Sequence, residues 1–171
     1  ILEYLDVGVK RASESIVIDP RKMKNLEIGE NYSKKLRASY YFMGALLGKY
    51  KKASMYFPGG CSIGARPINL HLKGFEALGA KVTIEDNKYI VEAEELNGAN
   101  IYLDMASVGA TINIMLAAVK AKGITIIDNA AREPEIVNVA TFLNNMGAKI
   151  TGAGTSTIKI EGVDKLHKCF H

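Results

Sequence analysis

GFEALGAKVT at residues 74–83 and FLNNMGAKIT at residues 142–151 share the run Gly-Ala-Lys, which recurs from Gly79 to Gly147, 68 positions apart. Each run follows apolar residues at helical spacing and leads into a β-prone segment, so each glycine is read as a helix stop and each lysine as a strand entry. Repetition at such a period means one structural unit used more than once. In the copy containing Gly79, Ser33 is placed to cap a helix over 34–49 that shows Leu36, Tyr40, Met43 and Leu47 on one face. A strand over 54–57 follows, then a helix opened by Pro67 with Ile68, Leu72 and Phe75 as its stripe, then strands over 81–84 and 89–92 turning at Asp86-Asn87. The copy containing Gly147 has a strand over 99–103 and a helix with Ile112, Met115, Leu116 and Val119 that Gly123 ends. A strand over 125–127, a helix from Pro134 with Ile136, Val139, Ala140 and Leu143, and strands over 149–151 and 157–161 complete it. A fainter echo opens the chain at Leu2–Leu5, Val7–Val9 and Ser15–Ile18. The expected class is α/β (α+β), tandem βαβαββ repeats with helices packed against mixed sheets. Residues 1–32 are the tail of an incomplete first repeat, 33–98 the second and 99–171 the third, together one domain.

The 171 residues are 48% hydrophobic and 23% charged, the balance of a globular domain with a substantial core. Net charge is +4, but the basic groups at Arg21–Lys24, Lys34-Lys35 and Lys49–Lys52 lack aromatic interleaving, which argues for solvated surface and against a nucleic-acid partner. Cys61 and Cys169 stand far apart in no metal-ligand spacing, which argues against a zinc site or a disulfide framework and for a reducing, cytoplasmic setting. No apolar run approaches the roughly 18 residues a membrane span requires, so no membrane partner is expected. The first residue is Ile1, not Met, and the chain is expected to be a piece of a longer one.

Chemistry concentrates at loops and helix starts. Pro58–Pro67 sets Cys61 among Gly59, Gly60 and Gly64, with Arg66 five positions later at an expected helix start. A lone cysteine can be a small buried hydrophobe; glycines, a guanidinium and a helix N-terminus are also the electropositive setting of a reactive thiol. Arg37 and Arg66 could together grip a phosphate or carboxylate with paired N–H donors. Ser107, Val108 and Gly109 open a helix and could bind a phosphate or sugar hydroxyl, or Ser107 could serve simply as a cap. Arg132, Glu133 and Glu135 allow a catalytic reading beside a helix-dipole one. His71 is either a core histidine or a side chain facing the cysteine loop.

Several stretches resemble a known family: PGGCSIGARPINLHLKGFEALGA (Pro58–Ala80), SVGAT (Ser107–Thr111) and NAAREPEIV (Asn129–Val137) are similar, nearly letter for letter, to the bacterial UDP-N-acetylglucosamine 1-carboxyvinyltransferases. The resemblance implies the enolpyruvyl transferase fold and transfer of an enolpyruvyl group from phosphoenolpyruvate to the 3-hydroxyl of UDP-N-acetylglucosamine. Phosphate is released with neither metal nor organic cofactor, in the first committed step of peptidoglycan synthesis. It implies that Cys61 is the proton-donating, adduct-forming thiol alkylated by fosfomycin. Arg66 would bind phosphoenolpyruvate and Arg37 another anionic group. Arg66, Pro67, Ile68, Asn69 and Leu70, with Met105, Ser107, Val108 and, by extension, Gly109, would contact the nucleotide sugar. Asn69 stands where the family usually has Asp, and Met105 where some members have Lys. The family's second domain, with its Asp base and a further arginine, has no counterpart here, so the piece alone is expected to be inactive; a non-catalytic nucleotide-sugar or phosphate-binding module is the alternative.

Overall fold

The computed structural model describes residues 1–59 and 68–171. Two strands come first, β1 (Gly8–Arg11) and β2 (Ile16–Asp19), paired as an antiparallel hairpin. A single turn of helix, α1 (Glu30–Ser33), and a 3-10 turn (Arg37–Tyr40) lead into α2 (Tyr41–Tyr50) and β3 (Lys52–Tyr56). Helix α3 (Asn69–Ala77), β4 (Lys81–Glu85) and β5 (Lys88–Glu92) follow. The last third holds β6 (Asn100–Tyr102), α4 (Val108–Ala118), β7 (Ile124–Asp128), α5 (Pro134–Asn145), β8 (Lys149–Thr151) and β9 (Thr157–Glu161).

The repeated Gly-Ala-Lys does the same work twice. Gly79 and Gly147 take φ of 94° and 95°, a left-handed conformation open to glycine at little cost. In each copy the amide of the following alanine reaches back to the last helical turn, Ala80 to the Phe75 carbonyl and Ala148 to the Leu143 carbonyl, both at 3.0 Å. That is the bond of a Schellman cap, and it aims the next strand back across the sheet. The last copy is a complete βαβαββ unit whose sheet runs β6-β7-β9-β8, with β6 parallel to β7 and the rest antiparallel. Strands β3, β5 and β4 repeat the order of β7, β9 and β8. A single parallel bridge, Ile28 to Met55, lies against β3 as Ile101 lies against Ile127 of β7. Strands β3 and β7 even share one burial pattern, alternate residues inward, as the period of two requires. Asp86 and Asn87, at φ 48° and 61°, make the tight turn of the β4–β5 hairpin.

Helix α4 is the centre of the molecule. Its sequence VGATINIMLAA is apolar on nearly every side, and every residue from Ala110 to Ala118 except Leu116 is buried, as expected of a helix with neighbours all round. Helix α2 crosses it so closely that a Cβ on Gly44 would lie 2.2 Å from the Asn113 carbonyl oxygen.

Two helices differ from the sequence reading. No continuous helix spans 34–49, and Ser33 caps nothing; it is the buried last residue of α1. Its carbonyl accepts from the Gly59 amide (3.0 Å) and the Ser39 hydroxyl (3.5 Å), so tertiary bonds replace the donor that a continuing helix would supply. The chain then extends at Leu36, which is exposed, before turning again at Arg37. Helix α4 ends at Ala118 rather than at Gly123, whose positive φ of 86° serves the turn into β7.

Candidate functional site

Three helix starts meet at one edge of α4: the 3-10 turn at Arg37, the first turn of α3 and the first turn of α4. Ser107 precedes α4 in an extended conformation, and its hydroxyl accepts the Ala110 amide at 3.3 Å while its carbonyl accepts that of Thr111. The cap reading of Ser107 therefore holds. The amides of Val108 and Gly109 belong to the first turn, which has no intrahelical acceptors for them and carries the positive end of the helix dipole.

Against Gly109 stand two rings. A Cβ at that position would come within 2.9 Å of the Tyr40 hydroxyl and 3.2 Å of His71 Nε2, so the missing side chain is what lets them approach. Tyr40 and His71 meet edge-on at 4.8 Å between ring centres. The guanidinium of Arg37 lies 5.8 Å from the centre of the Tyr40 ring, a cation–π distance. Its charge reaches Tyr89 as well, where it opposes the upward push of burial on the phenol.

His71 is buried, and this burial, reinforced by the Arg37 charge, holds its pKa down to about 4. Its backbone amide closes the first turn of α3 on the Ile68 carbonyl at 3.0 Å. Ile68 is itself buried, Leu70 half-buried and Asn69 exposed. Beneath the histidine, Asn113 of α4 joins three elements: Oδ1 accepts the Gly44 amide at 2.8 Å, and Nδ2 faces the Tyr40 carbonyl at 2.9 Å and His71 Nδ1 at 3.0 Å. The exposed ion pair of Lys73 with Asp104, at 2.8 Å, ties α3 to the β6–α4 junction.

The structure thus gathers Arg37, Ile68 to Leu70 and Ser107 to Gly109 around Tyr40 and His71. Cys61, Arg66 and Pro67 lie outside the described residues. On either side of them, the Gly59 amide is bonded to the Ser33 carbonyl and Ile68 is buried. The stretch 129–135 takes a structural part: Asn129, at φ 55°, donates to the Leu103 carbonyl, and the Ala131 amide to Thr111 Oγ1. Arg132 and Glu133 are exposed, the Glu133 carboxylate accepting the Arg132 amide at 2.8 Å. Asn113 escaped the sequence reading, and Tyr40 was read there only as part of an apolar helix face. An asparagine inside an otherwise apolar helix was the available signal, since a buried amide must find partners.

The family profile described as EPSP synthase (3-phosphoshikimate 1-carboxyvinyltransferase) matches residues 1–171, the whole chain. The chain belongs to the EPSP synthase family. Among curated EPSP synthase family relatives, proteins named UDP-N-acetylglucosamine 1-carboxyvinyltransferase 2 are similar over all 171 residues: that of Listeria monocytogenes is 60% identical and that of Listeria innocua 61%. That of Oceanobacillus iheyensis is 60% identical over the same span. In each case this chain covers 40% of the relative's length. Among solved structures, the enolpyruvyl transferase NikO from Streptomyces tendae superposes on 98% of the chain with a TM-score of 0.83 at 21% identity, covering 40% of that protein. EPSP synthase from Acinetobacter baumannii superposes on 95% with a TM-score of 0.66 at 22% identity, covering 38%. The fold is therefore that of the enolpyruvyl transferases.

Proposed function

We propose that this chain is the cysteine-bearing part of an enzyme that transfers the enolpyruvyl group of phosphoenolpyruvate to the 3-hydroxyl of UDP-N-acetylglucosamine with release of phosphate, opening peptidoglycan synthesis. The observation that carries this reading is the convergence of Arg37, the α3 start and the α4 start on one face, in a chain about 60% identical to relatives named for that reaction. Amides of Val108 and Gly109 and the dipole of α4 suit a phosphate of the nucleotide. Arg66 and Arg37 supply charge for phosphate and carboxylate groups. The reaction adds the sugar O–H across the enol double bond and then expels phosphate with a proton to restore it. Cys61 is assigned to deliver the proton to the methylene carbon, and it is the atom on which fosfomycin would act. Neither metal nor organic cofactor enters the scheme, and the setting proposed is the cytoplasm. Among the described residues no helix is long and apolar enough to cross a membrane.

The 40% share of the relatives' length favours a second reading of the isolated chain, as a binding wall that holds nucleotide sugar without turning it over. Titration of the ¹⁵N-labelled chain with UDP-N-acetylglucosamine tests the site. Amide shifts centred on Ile68–Leu70 and Ser107–Gly109 are expected; shifts centred elsewhere, or none, would overturn it.

A further inference from the structure

We propose that the open edge of β2 docks a second copy of this chain, the two β2 strands pairing antiparallel about a two-fold axis at Val17 so that the hairpins join into one sheet. The repeat identifies that edge. Asp6 stands at φ 64° where Gly79 and Gly147 stand at 94° and 95°. The Val7 amide reaches back to the Leu2 carbonyl at 3.0 Å, as Ala80 does to Phe75 and Ala148 to Leu143. From these three caps the hairpins run in one register. Gly8 opposite Asp19 and Val9 opposite Ile18 match Lys81 opposite Glu92 and Val82 opposite Val91, and again Lys149 opposite Glu161 and Ile150 opposite Ile160. Strand β2 is therefore the counterpart of β5 and β9. Each of those lies in mid-sheet, with an antiparallel neighbour, β3 or β7, on its far side. Among the described residues β2 pairs with β1 alone.

Ile16, Val17 and Ile18 are 62%, 57% and 53% exposed. The Ala12 amide bonds the Ser15 carbonyl at 2.9 Å, and the alternation of an antiparallel pair then turns the backbone groups of Val17 toward β1 and those of Ile16 and Ile18 away from it. An exposed aliphatic edge with outward amides and carbonyls is a template for another strand, and the lysines or prolines that guard such edges are absent from Ile16–Asp19. The sequence of β2 is complementary to itself. With Val17 opposite Val17 of the second copy, Ile16 meets Ile18 of that copy, aliphatic against aliphatic, and their outward groups bond each other. A slip of one residue would set outward groups against inward ones. At the ends of the paired strands Ser15 opposes Asp19 of the second copy, a hydroxyl against a carboxylate, and Glu14 comes toward its basic Arg21-Lys22 end. The contact is isologous and closed, so it stops at two copies.

Residue 17 meets itself across the axis, which gives the test. Light scattering on the eluted 171-residue chain should show twice the single-chain mass, falling to the single mass on dilution. Val17→Lys opposes two ammonium groups and Val17→Glu two carboxylates, so each variant alone should run at the single mass. An equimolar mixture of the two should regain the double mass. Val17 is more than half exposed, so the fold persists in both, and an unchanged far-UV circular dichroism spectrum checks this. In the native chain the Ile16 and Ile18 amides should exchange with solvent more slowly as concentration rises. A native chain of single mass at every concentration would overturn the proposal. A double mass that survives Val17→Lys would place the contact on some other surface and overturn it too. A mixture that stays at the single mass, or Ile16 and Ile18 amides that exchange freely in the double-mass species, would overturn the pairing about Val17.

Discussion

Replacing Asn113 probes the junction on which the candidate site is built. Asn113→Ala strands the Gly44 amide, the Tyr40 carbonyl and His71 Nδ1 at once, all three in the buried seam between α2, α3 and α4. Each stranded group costs roughly 1–3 kcal/mol, and partial relaxation brings the sum to about 4 kcal/mol. Asn113→Asp is the finer instrument. The carboxylate still accepts from Gly44, but it sets an oxygen against the Tyr40 carbonyl and a negative charge beside His71. The histidine then gains from protonation at Nδ1, and its pKa rises from about 4 to above its ordinary value of 6.5. Urea unfolding and an NMR pH titration of His71 measure both effects. A loss below about 1 kcal/mol for the Ala variant, or a His71 in the Asp variant that still titrates near 4, would refute the reasoning.

The native chain carries a matching pH dependence. Folded His71 titrates near 4 and an unfolded histidine near 6.5, so the unfolded chain takes up the proton first as pH falls. Its contribution, roughly 3 kcal/mol, is present above pH 6.5 and is lost between there and about 4; unfolding at stepped pH should show this decline, and His71→Gln should flatten it. Thr125→Val is expected to stabilise by about 1 kcal/mol, because the Thr125 hydroxyl is buried in β7 with no partner among the described residues; thermal melting checks it, and a lower midpoint would contradict it. Gly44→Ala drives a Cβ to 2.2 Å from backbone oxygen and should cost roughly 3 kcal/mol or more, whereas Gly123→Ala meets no atom within 4 Å and should lose only about 1–2 kcal/mol for its left-handed backbone. Iodoacetamide at neutral pH, followed by peptide mass mapping, should label Cys61 ahead of Cys169, since only Cys61 has an arginine and several glycines close by in the sequence; equal labelling would count against a reactive thiol.

Much of the fold was legible because the same local rule is written twice. Gly79 and Gly147 end their helices with the same backbone angle and the same reach-back bond, and a repeated cap fixes where each strand begins. Helix α4 was legible from apolar residues alone. The stretch 30–41 was not, because the carbonyl of Ser33 is claimed by Gly59, a residue 26 positions away that no local pattern reveals. At the site, arginine and helix-start signals pointed to Arg37 and Ser107 to Gly109 directly. The histidine could be seen but not weighed, since its neutral state depends on Asn113, 42 residues on, and that pairing exists only once α3 and α4 are packed.

The central claim is that this chain supplies the cysteine-bearing wall of an enolpyruvyl transferase. A chimera tests it most directly, with these 171 residues set into the Listeria monocytogenes relative in place of the segment they match at 60% identity. Phosphate release from phosphoenolpyruvate is the measurement. The account predicts turnover that requires UDP-N-acetylglucosamine, falls by orders of magnitude in Cys61→Ala, and is absent from the 171-residue chain alone. A folded chimera that releases no phosphate, or one whose turnover survives Cys61→Ala undiminished, would contradict it.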